Sequence, residues 1–264
     1  MRFQRFPRMN IVVLTNCGSW YGKKICNSFI SKKIPIAAVV VVRQPITYHL
    51  RLFSSVSRRI GIVDGIYFSF KRLADKLSEL RLASDNDKAL KHRYHDMGVP
   101  VYFSKGTNSS ETVTTLHRVS PDLLILGQTG IVKKQVLSIP VIGTLNAHPG
   151  ILPYYRGIDC PKWAIYHNDY ENIGCSVHWV DQHVDTGNII MKKRYSLSQG
   201  ETMRSLDHNL YNHCVELLAE VVLSLLAGKS MATEIQRVEE GIQYHKMPRK
   251  LEKKVINKLD QLSK

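Results

Sequence analysis

The chain contains 264 residues, of which 44% are hydrophobic and 22% are charged, so it is long enough to bury one main core with a small appendage. Its net charge of +15 is partly terminal, because residues 246–264 carry a net charge of +5 and residues 1–8 carry +3. This placement argues against a nucleic-acid partner, which a recognition helix rich in Lys and Arg would favour.

The cysteine content and the apolar runs indicate the expected compartment. Five cysteines are an odd number and lack C-x-x-C spacing, which argues against a disulfide framework and against a zinc site. The longest uncharged apolar run, at 34–42, is too short to span a bilayer. Residues 1–8 form a basic N-terminal arm that no apolar block follows, so a secretory signal is not expected. We therefore expect a cytoplasmic protein without a membrane span.

Apolar, β-branched runs alternate with helix-like segments in the first half of the chain. In chain order, strands and helices are predicted at 10–14, 19–31, 36–42, 99–103, 110–119 and 123–126. The run at 36–42 has no polar alternation, as is typical of strands that are covered on both faces. Two successive strand-helix-strand units predict an α/β fold with a doubly wound, mostly parallel sheet.

The remaining segments are assigned from composition and helical spacing. Residues from about 43 to 98 are basic and contain aromatic residues, and we interpret them as a helical insertion that lines a substrate cleft or, equally well, as an ordinary covering layer. Further strands and helices are predicted at 175–180, 188–195, 202–227 and 251–262. We expect a small helical C-terminal extension over 201–264, whose last helix packs on the body or on a second subunit to make a homodimer.

Asn146 and His148 follow a strand predicted at 143–145. Because residues two apart on a strand point to the same side, the amide and the imidazole are expected to lie together. Open parallel sheets bind their ligands at the carboxyl ends of the strands, so this pair lies where a site is expected. An isolated Asn-x-His pair is more often part of the hydrogen-bonded scaffold than part of an active site. The surrounding sequence decides between these two interpretations.

The surrounding sequence contains two linked motifs. Residues 146–157 read Asn-Ala-His-Pro-Gly-Ile-Leu-Pro-Tyr-Tyr-Arg-Gly, and residues 184–187 read Val-Asp-Thr-Gly. Together they resemble the folate-dependent formyltransferase family over about residues 9–195. The resemblance implies a Rossmann-like sheet, a formyltransferase catalytic domain over 9–200, and 10-formyltetrahydrofolate as the cofactor with no metal.

The resemblance also assigns roles to individual residues. It implies that Asn146, His148 and Asp185 are catalytic. It implies a folate pocket whose walls are Gln128, Thr129, Gly130, Ile131 and Val132 on one side and Asp181, Gln182, His183 and Val184 on the other. Contacts to the acceptor are expected from Pro149, Gly150, Tyr154 and Arg156, with a surface ion pair as an equal alternative for Arg156. His178 is interpreted as a satisfied strand residue.

The chemistry of formyl transfer explains why these residue types are needed. A neutral amine attacks the formyl carbon and the carbonyl oxygen gains negative charge, so fixed donors speed the step. Asn146 offers an N–H that never titrates, and His148 is expected to donate as an imidazolium and then to pass a proton to the leaving nitrogen. Asp185 is expected to favour the charged imidazole and to accept the proton of the amine.

The expected acceptor is a small molecule, the amine of a nucleotide-linked amino sugar of the kind used in surface polysaccharide precursors. The segment at 152–165 and the terminal Gly-Ile-Gln-Tyr-His-Lys-Met-Pro most resemble nucleotide-sugar N-formyltransferases. Methionyl-tRNA enzymes of the family normally carry a second, C-terminal β-barrel domain, and glycinamide ribonucleotide enzymes are usually shorter. Both acceptors stay open as alternatives, as do a formyl-folate hydrolase and an inactive folate-binding protein.

Overall fold

A seven-stranded sheet lies at the centre of the computed structural model, which describes residues 9–70 and 98–262. The strands are β1 (Ile11–Asn16), β2 (Ala38–Arg43), β3 (Val101–Lys105), β4 (Leu123–Gly127), β5 (Gly143–His148), β6 (Tyr155–Gly157), β7 (Gly174–Trp179), β8 (Ile189–Arg194) and β9 (Ile242–Tyr244). The main sheet has the order β3-β2-β1-β4-β5-β7-β8, and β6 pairs with β9 in a two-stranded sheet. The N-terminal arm expected at 1–8 lies outside the described residues.

The first five strands run parallel, and β7 and β8 extend the sheet antiparallel beyond β5. The helices of the described residues are α1 (Trp20–Ser31), α2 (Ile46–Ile60), α3 (62–70), α4 (Ser110–Val119), α5 (Lys134–Leu137), α6 (Cys160–Tyr166), α7 (Met203–Leu226) and α8 (Arg249–Leu262). The predicted α/β fold with a mostly parallel, doubly wound sheet is confirmed.

The sheet is covered on both faces because its parallel strands are apolar at successive positions. Ile11 and Val13 of β1 pack into a cluster with α1 and α7, whereas Val12 and Leu14 pack into a second cluster with α4 and α5. Burial of both faces explains why the β-branched run of β2 lacks polar alternation.

Helix α7 belongs to the core rather than to an appendage. It begins with a capping box, in which the Thr202 hydroxyl accepts the N–H of Ser205 and the Ser205 hydroxyl accepts the N–H of Thr202. Leu206 and Leu210 are fully buried in the same cluster as β1 and β7. The boundary expected at residue 200 therefore falls inside one packed unit, because α7 completes the apolar cover of the sheet.

The described part of the expected insertion, residues 43–70, forms α2 and α3. Helix α3 contacts the start of α8, because the Arg249 guanidinium carbon lies 3.8 Å from the ring centroid of Tyr67. The backbone N–H of Arg249 also donates to Asp64 at 3.1 Å. The rest of the expected insertion, residues 71–97, lies outside the described residues.

No disulfide bond joins any of the five cysteines, all of which lie within the described residues. Within the part of the chain that the structure describes, no helix combines the length and the apolar character that crossing a membrane requires.

Candidate active site

The expected site lies at the carboxyl ends of β4 and β5. Their parallel register reaches Ile125 and Leu145, and beyond this point β5 pairs with β7 as far as His148. Strand β4 leads into the loop at 128–132. Ligands of open α/β sheets bind outside the carboxyl ends of the strands. Asn146 and His148 therefore lie at this end of β5, and the loop lies at the same end of β4.

The structure brings Asp185 and His148 together, as the motif spacing predicts. His148 Nδ1 lies 3.4 Å from Asp185 Oδ2. The same carboxylate oxygen accepts the backbone N–H of Gly157 at 2.9 Å, and Asp185 has a φ of 53° in the left-handed region. The turn at 185–187 thus directs the carboxylate back toward the end of β5.

The hydrogen bonds of His148 define which ring nitrogen carries a hydrogen. Nε2 lies 2.9 Å from the carbonyl oxygen of Tyr155, and because a carbonyl only accepts, Nε2 must be the donor. In the neutral ring, Nδ1 then presents its lone pair toward Asp185. This nitrogen donates to the carboxylate only after the ring gains a proton, so the pair is arranged to take up one proton.

Burial controls the charge of His148 in the free protein. Burial lowers the pKa of His148, helped by the neighbouring His178, and together they outweigh Asp185 and the Tyr155 carbonyl, which raise it. Burial raises the pKa of the Asp185 carboxyl, but the neighbouring His148 and His178 and the Gly157 N–H overcome this effect and hold it well below its usual range. In the free protein the lowered pKa of His148 therefore favours the neutral ring rather than the imidazolium expected from the sequence, and the lowered pKa of Asp185 favours the carboxylate.

His178 joins this cluster from β7. It lies directly opposite Asn146 in the antiparallel pair, and its Nδ1 donates to the carbonyl oxygen of Trp179 at 2.7 Å. Nε2 therefore carries the lone pair and accepts an N–H of Asn146 at 3.2 Å. The same Nε2 lies 3.5 Å from Asp185 Oδ1. Asp185 is thus flanked by Nδ1 of His148 and Nε2 of His178, and a proton on the His148 nitrogen would pair directly with the carboxylate.

The interpretation of His178 as an ordinary strand residue is incomplete, because it contacts the site. Its signal in the sequence is the spacing of Ser176 and His178, two polar residues in a strand whose Cys175 and Val177 enter the core. Only the antiparallel pairing of β7 with β5 puts His178 beside Asn146. The sequence alone does not specify that pairing.

Neighbouring side chains hold the loop at 128–132 from behind. The backbone carbonyls of Gln128, Thr129 and Ile131 accept hydrogen bonds from Asn16, Thr107 and Asn108 at 2.5, 2.8 and 2.9 Å. Gln128 and Gly130 have φ values of 63° and 83°, and the side chains of Thr129 and Val132 are buried. The shape of the loop is therefore set by the protein before any ligand binds.

The carboxylate of Asp181 fixes the conformation of the second expected wall of the folate pocket, residues 181–184. It accepts the hydroxyl of Thr186 at 2.7 Å and the backbone N–H of His183 at 3.0 Å. Gln182 and His183 are exposed, and Val184 is half-buried.

The two loops share an apolar floor. Val180, directly before the second loop, packs in the same cluster as Val132 of the first. An apolar floor between two loops with fixed backbones suits a flat heterocycle such as a pterin.

The residues expected to contact the acceptor differ in exposure. Tyr154 is exposed and Pro149 is half-buried, so both side chains are open to a ligand. Gly150 is buried, and a Cβ there would lie 2.7 Å from His148 Nε2. Gly150 therefore lies directly against the catalytic imidazole, where a larger side chain would collide with it.

Arg156 is buried and already has its own partners. Its guanidinium donates to the carbonyl oxygens of Val238 and Gly241, both at 3.0 Å. The structure shows no surface ion pair of Arg156, because the side chain is buried, and contact with a phosphate of the acceptor stays a prediction. The side chain anchors residues 227–248, the C-terminal segment between α7 and α8, to residues 149–157, which we call the catalytic loop.

A cavity of about 570 Å³ lies away from this cluster, and its lining includes Tyr170, Arg194, Tyr195 and Leu259. The predicted site residues do not line it. Among residues 9–70 and 98–262, no three His, Cys, Asp or Glu side chains are grouped so as to hold a metal ion.

The cluster combines an amide donor, a carboxylate and two imidazoles. Fixed N–H groups stabilise a developing oxyanion, and a carboxylate backed by a neutral imidazole can receive a proton. The arrangement suits transfer of an acyl group to a neutral nucleophile, on a doubly wound α/β fold.

Comparison with known proteins identifies the family. The chain belongs to the formyl transferase family, whose model matches residues 9–222. The methionyl-tRNA formyltransferase of Methylacidiphilum infernorum (isolate V4) is 34% identical over 143 residues, which cover 54% of this chain and 43% of that protein. The corresponding protein of Clostridioides difficile (strain 630) is 31% identical over 143 residues, with 54% and 46% covered. The chain spans less than half the length of these two relatives.

Solved structures share the fold. Glycinamide ribonucleotide transformylase 1 from Symbiobacterium toebii superposes with a TM-score of 0.58 at 18% identity, covering 88% of this chain and 96% of that one. A sugar N-formyltransferase from Shewanella sp FDAARGOS_354 also has a TM-score of 0.58, at 12% identity, with 96% and 88% covered.

Proposed function

We propose that this protein transfers a formyl group from 10-formyltetrahydrofolate to a primary amine. The observation that supports this most directly is the approach of Asp185 to His148 and His178, with Asn146 hydrogen-bonded to His178, at the carboxyl end of β5. These residues lie within the part of the chain that the family model matches. The folate supplies a formyl carbonyl that is activated for attack.

Each catalytic side chain has a distinct task in this proposal. Asn146 stabilises the negative charge that develops on the formyl oxygen, since its amide has a second N–H besides the one that His178 accepts. Asp185 accepts the proton that the attacking amine loses, and the neutral His148 behind it stores that proton as imidazolium. The protons balance, because the amine loses one and the folate nitrogen that leaves gains one.

The folate is proposed to bind between the two loops. The loop at 128–132 has carbonyls fixed from behind, and the loop at 181–184 is closed by Asp181. The exposed Ile131 and the buried Val132 give the first loop an apolar side, which suits the face of a pterin.

The proposed acceptor is an amino sugar linked to a nucleotide. A sugar N-formyltransferase and a glycinamide ribonucleotide transformylase share this fold with equal TM-scores, so the fold does not distinguish between their acceptors. The choice of a sugar nucleotide therefore rests on individual residues of this chain. Tyr154 is exposed on the catalytic loop. Arg59 at the end of α2 contacts His245, next to β9, which pairs with that loop. The guanidinium of Arg59 at this place suits a phosphate of a sugar nucleotide.

One observation favours a second acceptor, the amine of methionyl-tRNA. The curated relatives named above are methionyl-tRNA formyltransferases, and they are 34% and 31% identical to this chain over their aligned parts.

The test offers purified protein 10-formyltetrahydrofolate together with amino-sugar nucleotides, glycinamide ribonucleotide or methionyl-tRNA. Formylated product is measured by mass spectrometry and released tetrahydrofolate by absorbance. We expect formyl transfer to an amino-sugar nucleotide. Asn146→Ala is expected to lower kcat by roughly 10²- to 10³-fold, the usual cost of one oxyanion donor. Cofactor affinity should stay unchanged, and Asn257→Ala on the exposed face of α8 is the control.

The other outcomes separate the alternatives. Transfer only to methionyl-tRNA or to glycinamide ribonucleotide would replace the proposed acceptor but keep the chemistry. Release of tetrahydrofolate without any amine would indicate a hydrolase. Normal turnover by the Asn146→Ala variant would reject the role of this side chain.

A further inference from the structure

The segment after α7 buries a polar side chain and exposes apolar ones. Gln236 is only 7% exposed, whereas Ile235 is 77% exposed and Val238 is 45% exposed. A buried amide costs free energy unless hydrogen bonds satisfy it, and an exposed Ile gains none of its usual burial. The backbone of this segment is therefore oriented so that Gln236 points inward.

The amide of Gln236 donates hydrogen bonds to the turn that contains Asp185. Its Nε2 donates to the carbonyl oxygen of Asp185 at 3.1 Å and to that of Gly187 at 2.5 Å. Because both partners are carbonyls, which only accept, the amide nitrogen rather than the oxygen must face the turn. One side chain thus holds both ends of the three-residue turn whose first residue has a φ of 53°.

The segment around Gln236 is anchored on both sides. Before it, Glu234 exchanges two backbone hydrogen bonds with Ile189 of β8, both at 2.8 Å. After it, Arg156 of the catalytic loop holds the carbonyls of Val238 and Gly241. Gln236 lies beyond residue 222, where the match to the family model ends. The donor that holds the Asp185 turn therefore comes from outside the matched region.

We propose that Gln236 is a positioning residue, which fixes the turn at 185–187 so that the Asp185 carboxylate stays between His148 and His178. The inference rests on the proposed role of Asp185 as proton acceptor. Without the two donors, the carbonyls of Asp185 and Gly187 lose their buried partner and the turn gains freedom to move away from β5.

Two variants test the donors separately from the shape. Gln236→Met keeps the length of the side chain and removes both N–H groups. Gln236→Glu keeps the shape and puts an oxygen against two carbonyl oxygens. Arg237→Ala is the matched control, since this neighbouring side chain is exposed and pairs with Glu240 at the surface.

Both variants are expected to lower kcat by up to about 100-fold, the cost of a misplacement of ~1 Å, with a smaller change in KM for the folate. The acid limb of kcat/KM should also move to lower pH, because the Asp185 carboxylate raises the pKa of His148 and would lie farther away. A general loss of packing would instead expose the ring and move this limb to higher pH, because burial lowers the pKa of His148. Nitrogen NMR of labelled histidines, with His148 assigned from a His148→Gln variant, should show the same shift without any acceptor.

Wild-type kcat, an unchanged acid limb and an unchanged His148 titration in both Gln236 variants would overturn the inference. Asp185→Asn distinguishes this result from a failure of the proposed function. If Asp185→Asn loses turnover while the Gln236 variants keep it, the positioning role is wrong and the catalytic role stands. If Asp185→Asn keeps full turnover, the catalytic role on which the inference rests is rejected.

Discussion

Gly187→Ala is expected to displace the turn that presents Asp185. A Cβ at this residue would lie 1.9 Å from the carbonyl oxygen of Trp179 and 2.8 Å from its carbonyl carbon. Ordinary contacts begin at 3.4 Å, so the turn must move away from β7 by about 1.5 Å. Asp185, two residues earlier, moves with it and leaves His148. Since a misplacement of ~1 Å can cost about 100-fold, we expect kcat to fall by about this factor.

The assay is steady-state turnover with the acceptor that the panel identifies, at saturating folate. Asn188→Ala is the control, because it changes the next residue, whose side chain is exposed. Circular dichroism verifies that the variant is folded. A folded Gly187→Ala protein with wild-type kcat would show that the position of the turn does not limit catalysis.

Three further changes test other contacts of the site. His178→Phe removes the acceptor of the Asn146 amide, and kcat should fall roughly tenfold, the worth of a hydrogen bond of about 1.4 kcal/mol. The pKa of His148 lies below its ordinary value of 6.5 in the folded protein, so the unfolded chain takes up a proton first as pH falls. Stability from this group is complete above pH 6.5 and is lost below it, and His148→Gln should flatten this slope in urea unfolding. Arg156→Met leaves the carbonyls of Val238 and Gly241 without their charged donor, and the free energy of unfolding should fall by about 1.5–3 kcal/mol.

Each of these three predictions has an outcome that would contradict it. Unaltered kcat in His178→Phe would mean that Asn146 is oriented without this partner. An unchanged pH slope in His148→Gln would assign the acid loss of stability to other groups. Unchanged urea unfolding of Arg156→Met would mean that the C-terminal segment is held by its other contacts, such as the pairing of β6 with β9.

Much of the fold follows from local patterns. The runs that form β1, β2 and β4 are apolar at successive positions, apart from the polar residues that end β1 and β2, because both faces of the sheet are covered. The period of α7 follows from its buried leucines. The spacing of Asn146 and His148 correctly predicts that they share one edge of the sheet. The linked motif correctly predicts that Asp185 lies beside them.

The contacts that the sequence does not predict depend on long-range pairing. His178 reaches Asn146 only because β7 runs antiparallel to β5, and Arg156 is buried only because the chain returns 82 residues later to cover it. The neutral state of His148 has the same origin. It depends on how deeply the surrounding elements bury the ring, which a motif does not encode.

The pairing of β9 with β6 has a consequence for how the protein is made. The ribosome synthesises the catalytic residues first. Gln236, which holds the turn that contains Asp185, and β9, which pairs with the strand that contains Arg156, are synthesised later. A nascent chain that has just completed α7 already has most of its hydrophobic core but lacks these last supports. Competence for turnover should therefore emerge only after residues 236–244 have been translated, when most of the folding free energy has been gained.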